Sequence, residues 1–154
     1  MQHFDFNDFT VQFSMLHDQI LTGASIENGV LRLVFGEYRI FRENYSVDTY
    51  YERYKDYQAC VVEIDVHSFP VPEMNAPYLC MLKGELFRCL EMTPEELVEL
   101  LMQLRAAFTF ASVSNNDEIE LQLVTAADRS VPRRFRDCEF RFGVCADAIR
   151  FIWQ

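Results

Sequence analysis

The chain has 154 residues, of which half are apolar and 14% aromatic. This composition excludes a disordered chain, because disorder requires low hydrophobicity and few aromatic residues. The length fits one domain of common size, so we expect residues 1–154 to form a single domain. The formal net charge is −10, and residues 1–126 carry 20 acidic and only 8 basic side chains. Such an acidic surface repels phosphates, which disfavours nucleic-acid binding and favours a basic protein partner.

The cysteines and the apolar runs predict a compartment. The chain holds an odd number of cysteines, widely spaced and without a C-x-x-C pair: Cys60, Cys80, Cys89, Cys138 and Cys145. An oxidised scaffold would more often show an even set, so we expect small buried thiols. The first residues lack the basic and apolar regions of a signal peptide. No apolar run approaches the roughly 20 residues of a membrane span. We therefore expect a cytoplasmic protein with no membrane contact.

The clearest local pattern is a hairpin at Asn28-Gly29. This dipeptide supplies the positive φ angles of a two-residue type I′ turn. A strand is predicted over residues 20–27, and apolar side chains at alternate positions predict its partner from Leu31 to Phe35.

The surest helix is predicted near residues 93–108. Thr93 and Glu96 form a Thr-x-x-Glu capping box, and Pro94 suits the first helical position. Leucines at helical spacing, followed by Phe108, extend one apolar stripe along it. A shorter helix is predicted within residues 46–58 from the spacing of the tyrosines there.

Alternation of apolar and polar residues predicts further half-buried strands around Ile64, Leu121 and Phe140. A turn at residues 143–147 is expected to separate the strand of Phe140 from a last strand at residues 148–153. The pattern predicts an α+β fold with a mainly antiparallel sheet of about seven or eight strands, because strands and helices do not alternate regularly. The sheet is expected to be sandwich-like or a partly closed barrel.

Acidic residues occupy the polar faces of two predicted strands. Glu63 and Asp65 share one face because side chains two positions apart point the same way, and Glu118 and Glu120 do the same on a later strand. These are either ordinary solvated faces or binding residues that attract a basic partner. Tyr50 and Tyr54 are further candidate binding residues, as part of an interface or of the packing against the sheet.

A metal site is the alternative interpretation. His17 is adjacent to Asp18, and His67 lies on the same strand face as Asp65. Together these four residues would supply the ligands of a metal-dependent hydrolase. The structural alternative is that Asp18 caps a turn and His17 bonds the backbone. The sequence contains no G-x-S-x-G elbow and no phosphate-binding glycine loop, so no catalytic residue and no cofactor is predicted.

Two further possibilities stay open. A curved sheet could enclose a small ligand, which would make the protein a small-ligand-binding β domain. The one basic cluster of the sequence either binds a carboxylate-rich or phosphorylated partner or pairs with the acidic surface of its own domain. It consists of Arg129, Arg133, Arg134 and Arg136.

Residues 16–41 carry a resemblance to known proteins. The segment Leu16-His17-Asp18-Gln19-Ile20, followed by the hairpin residues 26–33, resembles the opening of small uncharacterised bacterial proteins, some grouped with the immunity proteins of toxin systems. The resemblance implies a β-rich binding protein without catalysis that covers a basic toxin surface with acidic patches. The leading prediction is therefore a non-enzymatic protein-binding domain of immunity-like character. Its oligomeric state is not predicted.

Overall fold

The computed structural model describes residues 6–36, 52–70, 76–114 and 117–154. Its secondary structure confirms the α+β class and the mainly antiparallel sheet. The helices are α1 (Phe6–Met15) and α2 (Pro94–Leu104), with a 3-10 helix at Arg133–Phe135. The strands are β1 (Ile20–Glu27), β2 (Val30–Gly36), β3 (Cys60–Ser68), β4 (Tyr78–Lys83), β5 (Leu86–Glu91), β6 (Ala107–Ser114), β7 (Glu118–Val124) and β8 (Glu139–Trp153).

These strands form one antiparallel sheet in the order β3-β2-β1-β6-β7-β8-β4-β5. An additional pairing of β3 with β8 joins the first strand of that order to the sixth, so six strands close into a ring. The β4–β5 hairpin extends from β8 outside the ring. Among the described residues, β1 and β6 are joined at one paired position, Ile20 opposite Ala107. The hairpin at Asn28-Gly29 is confirmed, with both residues at positive φ.

The last strand differs from the prediction. β8 runs without interruption from Glu139 to Trp153, so the predicted turn at residues 143–147 is wrong. Gly143 lies in an extended ladder opposite Glu120 of β7. The first half of β8 lies between β7 and β4, and its second half pairs with β3 through a ladder that shifts register. β8 must be long because it pairs first with β7 and β4 and then with β3. A turn at residues 143–147 would have separated these ladders.

The core lies where the alternation predicts it. Ile64, Leu121 and Phe140 are fully buried, whereas their polar neighbours along each strand are not. Phenylalanines from α1, β2 and β6 meet at one end of this core, where the Phe13 and Phe108 rings stack at 5.4 Å. Aromatic pairs of this kind add about 0.5–1.5 kcal/mol beyond the area that they bury.

The predicted helix is confirmed but ends early. Thr93 and Glu96 form the expected capping box, and α2 ends at Leu104 before Arg105, which is left-handed with φ 45°. The prediction that Phe108 continues the helical stripe is wrong, because Phe108 lies in β6 and is buried there. The helix α1 was not predicted. Within the described ranges, no helix has the length and apolar content needed to cross a membrane.

The prediction of buried thiols is confirmed in part. Cys60 and Cys138 are buried free thiols, and burial raises the pKa of Cys60 to about 12. Cys80 and Cys89 are joined in a disulfide, so the prediction is wrong for this pair. The two residues are nine positions apart in sequence, but the β4–β5 hairpin places them directly opposite each other.

Candidate functional site

The most unusual surface of the described structure is the β4–β5 hairpin. All six residues of β5 are exposed, although every other strand with a described burial pattern has partly or fully buried positions. Four large apolar side chains of the hairpin are exposed by between 37% and 63%: Leu82, Leu86, Phe87 and Leu90. A cluster of this kind on one projecting element is typical of an interaction surface.

The outer edge of β5 offers hydrogen-bonding groups of its backbone. The Cα atoms of Cys80 and Cys89 are 4.2 Å apart, the spacing of a pair that does not exchange backbone hydrogen bonds. Because such pairs alternate with hydrogen-bonded pairs, the N–H and C=O groups of Phe87, Cys89 and Glu91 point away from β4. Arg88 and Leu90 are the hydrogen-bonded positions. The strand order places β5 at the end of the sheet, so these outward groups meet no described strand.

This edge has few of the usual devices against strand addition. Natural edge strands are commonly protected by proline, a bulge or charged side chains. β5 contains no proline, and its six pairings with β4 run without a register shift. Its charged residues are Arg88 and, at the last position, Glu91. With respect to the described residues, the edge is therefore open to an added strand over its whole length.

The outer face of the hairpin is continuous with the outer faces of β8 and β7. Side chains of Cys80, Leu82 and Phe87 border a cleft of about 340 Å³ together with Glu120 and Glu139. We call this the outer cleft. Arg141 also lines it and is held by Glu139, with its Nη2 atom 2.7 Å from Glu139 Oε1, and its Nη1 atom is 4.0 Å from Glu120. One arginine thus neutralises one of the two acids, and the cleft keeps negative charge.

Glu118 extends the acidic character of the outer cleft. The Tyr78 hydroxyl lies 3.5 Å from Glu118 Oε1, beside the backbone of Gly143. A Cβ atom at Gly143 would come within 3.1–3.2 Å of Tyr78, Glu118 and Pro70, so glycine allows this close approach. Burial, then the charges of Glu118 and Glu120, raise the pKa of Tyr78 to about 12. Tyr78 therefore stays protonated and donates to a carboxylate.

The predicted binding residues Glu63 and Asp65 lie elsewhere, on the outside of the ring. Arg150 contacts both carboxylates, and Arg32 of β2 approaches Glu63 at 3.6 Å. This face is paired with arginines of the same domain. The structure thus brings Glu120 to the outer cleft and Glu118 next to Tyr78 of that cleft. It places Glu63 and Asp65 on a separate and largely neutralised face.

The four predicted metal ligands are not brought together. His17 contacts its neighbour Asp18, with Nδ1 3.0 Å from Oδ2, close to the Ile20 end of β1. Asp65 pairs with Val30, at the opposite end of the β1–β2 hairpin. His67 instead lies between Asp117 and Asp147, at 3.5 and 3.2 Å. In the part of the chain that the structure describes, no group of three or more His, Cys, Asp or Glu is placed to hold a metal ion.

Of the two candidate tyrosines, Tyr54 lies in the core. Residues 52–54 are helical, and Tyr54 is buried with its ring centroid 4.7 Å from that of Trp153. Its ring is therefore part of the packing and not of an exposed interface. Tyr50 lies outside the described residues.

The arginine cluster forms no ion pair with the acidic residues that the structure describes. No carboxylate of the described ranges lies within 4.0 Å of Arg129, Arg133, Arg134 or Arg136. Arg136 donates to the backbone carbonyls of Val131 and Arg129, which fixes the loop before the 3-10 helix. Arg134 lies over the ring of Phe135.

Comparison with known proteins identifies no significant match. No protein-family model matches this chain. No curated protein and no solved structure is significantly similar to it.

The open edge of β5 was missed at the sequence level, although a signal for it exists. Apolar residues stand at the adjacent positions Leu86 and Phe87 and again at Leu90. Such residues occupy both faces of a strand, which requires cover on both sides. The structure covers neither face of β5 completely.

Proposed function

We propose that this protein is a non-enzymatic binding domain that accepts an extended, basic segment of another protein along the edge of β5. The observation that carries the proposal is the exposure of β5 on both faces together with its outward backbone groups. Strand addition to an open sheet edge takes its affinity from main-chain hydrogen bonds and its specificity from alternate side chains.

The charge of the outer cleft supports a basic partner. An added strand would project alternate side chains onto the same face as Phe87 and Cys89, beside Glu91. Glu118 and Glu120 of β7 lie four strands away in the sheet, roughly 19 Å, so they attract basic side chains through their field and not by contact. One arginine, Arg141, lies among these acids and is already bound to Glu139. Basic side chains on the partner would offset the negative charge that the outer cleft keeps, and apolar side chains would cover Phe87 and Leu82.

An immunity-like role is the form of this function that we favour. The resemblance of residues 16–41 to bacterial proteins grouped with toxin immunity proteins stays a prediction, and an acidic inhibitor that covers a basic toxin is consistent with the outer cleft. We propose the cytoplasm as the site of action, where thiol reductants would keep Cys80 and Cys89 reduced.

Binding of designed peptides tests the proposal. An alternating Lys-Val octapeptide serves as the basic strand, and an alternating Glu-Val octapeptide serves as its acidic counterpart. We expect fluorescence anisotropy to show binding of the basic peptide that weakens with salt, and no comparable binding of the acidic one. Phe87→Pro removes an outward N–H without touching the ladder to β4, whereas Phe87→Ala removes the side chain alone. Affinity should therefore fall at least about tenfold more for Phe87→Pro than for Phe87→Ala.

A matched pair of double variants separates the two acidic faces. Glu118→Gln with Glu120→Gln should weaken binding of the basic peptide, and Glu63→Gln with Asp65→Asn should not, although both remove two charges. If both double variants lost the same affinity for the basic peptide, the net charge alone would explain the effect, and a defined binding site would be contradicted. If the two Phe87 variants bound the basic peptide with equal affinity, the proposal of strand addition would be contradicted. Concentration-dependent dimerisation through β5 would assign the edge to a second copy of this chain.

A further inference from the structure

The inner face of the β4–β5 hairpin borders a second cleft, on the side opposite the outer cleft. Met81, Leu86 and Leu90 form its hairpin wall. Leu100 of α2 and Phe135 of the 3-10 helix form the wall that faces the hairpin. Its volume is about 620 Å³, within the range of small-molecule sites. We call this the inner cleft.

Three cations line the inner cleft of this acidic domain: Lys83, Arg88 and Arg134. Lys83 lies opposite Leu86 in the β4–β5 ladder, which makes Arg88 its diagonal neighbour on the same face. Side chains in that relationship are about 7–8 Å apart, so their charges repel each other. Arg134 lies on the other wall, with its guanidinium carbon 4.5 Å from the centre of the Phe135 ring.

None of these cations is neutralised by a carboxylate of the described residues within 4.0 Å. Lys83 donates to the backbone carbonyl of Arg133 at 3.2 Å, which holds its charge against the 3-10 helix. Glu91 and Glu96 also border the cleft, but Glu96 accepts a hydrogen bond from the backbone of Thr93. Neither acid lies within 4.0 Å of Lys83, Arg88 or Arg134.

We propose that the inner cleft binds an anionic amphiphile, a single-chain carboxylate whose tail lies on the apolar walls and whose head group is held by Arg88, Arg134 and Lys83. Apolar walls favour a hydrocarbon chain because its burial removes apolar surface from water. Guanidinium groups favour a carboxylate because they donate in pairs with matching geometry. The site is independent of the proposed strand addition, since it uses the inner side chains of the hairpin and not its outward backbone groups.

Calorimetry with decanoate, below its micelle concentration, tests this site on the full chain. We expect decanoate to bind at least about tenfold more tightly than decanol, because the alcohol has the same chain and no charge. Arg88→Gln combined with Arg134→Gln should remove this difference. Arg129→Gln removes one charge from the same arginine cluster outside the cleft, and it should leave decanoate binding unchanged. Lys83→Gln is a milder second variant, should the double variant unfold.

Three results would overturn the proposal. Equal affinities for decanoate and decanol would leave the cations without a role. Binding to vesicles of anionic phospholipid but not to monomeric decanoate would assign the cleft to a membrane surface. The protein could bind the Glu-Val octapeptide and not decanoate, and lose this binding in the Arg88→Gln, Arg134→Gln variant. That result would assign the inner cleft to an acidic protein. Failure of the basic peptide to bind β5 would leave this result unaffected, so the two proposals fail separately.

Discussion

Arg150 of β8 donates two hydrogen bonds to Asp65 of β3, from Nη1 and Nη2 to the two carboxylate oxygens, at 2.8 and 2.9 Å. Its Nε atom also reaches Glu63 at 3.2 Å. Bidentate pairs of this kind are the stronger form of surface ion pair. The hydrogen bonds from Arg150 lower the pKa of Asp65 below its ordinary value of 3.8. An acidic strand face that would attract a basic partner is therefore occupied by an arginine of its own sheet.

This pair predicts a pH-dependent contribution to stability. Since the pKa of Asp65 is lowered in the folded state, the pair contributes above the ordinary aspartate pKa and is lost as the pH falls through the lowered value. Asp65→Asn should reduce the free energy of unfolding by about 0.5–1 kcal/mol at pH 7, because the pair is partly exposed and screened. Urea unfolding at several pH values measures this difference, which should shrink below the ordinary aspartate pKa of 3.8.

The control for Asp65 is Glu27→Gln, at the exposed end of β1. It removes the same charge from the surface and should change the stability little at either pH. A loss for Asp65→Asn that persists undiminished in strong acid would mean that the ion pair is not its cause.

The disulfide predicts a stability that depends on reductant. Cys80 and Cys89 close a short loop, and the loss of unfolded-chain entropy on closing such a loop corresponds to about 2–3 kcal/mol. Treatment with a dithiol reductant should lower the free energy of unfolding by about this amount. The double variant Cys80→Ser with Cys89→Ser should match the reduced protein and no longer respond to reductant. A wild-type protein whose unfolding is the same with and without reductant would contradict this prediction.

The capping box of α2 predicts a smaller effect. Thr93 Oγ1 accepts from the Glu96 backbone at 3.2 Å, and the Thr93 backbone donates to Glu96 Oε2 at 2.8 Å. Thr93→Ala removes the first bond and should cost about 1 kcal/mol in thermal or urea unfolding. Thr93→Ser keeps the hydroxyl and should stay within a few tenths of the wild type. Equal losses in the two variants would show that the hydroxyl bond is not responsible.

The class of fold could be predicted because it depends on local patterns. Alternation around Ile64 and Leu121 gives the buried face of each strand, and Thr93 with Glu96 gives the start of α2. The end of α2 was harder to predict, because Phe108 fits a helical stripe as well as a buried strand. In the structure, the left-handed conformation of Arg105 follows the end of the helix, and Phe108 pairs with Leu123 in the sheet.

The candidate site could be predicted only in part, because it depends on which strands become neighbours. Glu118 and Glu120 were identified, but Arg141 and the hairpin reach them through pairings with β8 that local patterns do not contain. For the same reason the arginines opposite Glu63 and Asp65 were not foreseen. The disulfide follows from the β4–β5 register, which the cysteine count alone does not reveal.

Amide hydrogen exchange along β5, measured by NMR with and without the Lys-Val octapeptide, tests the central claim most directly. The account predicts that the outward amides of Phe87, Cys89 and Glu91 exchange fast in the free protein and slow down when the peptide binds. Arg88 and Leu90, already bonded to β4, should change much less. Protection of other strands in place of these three amides, or binding that leaves all three unprotected, would contradict strand addition at this edge.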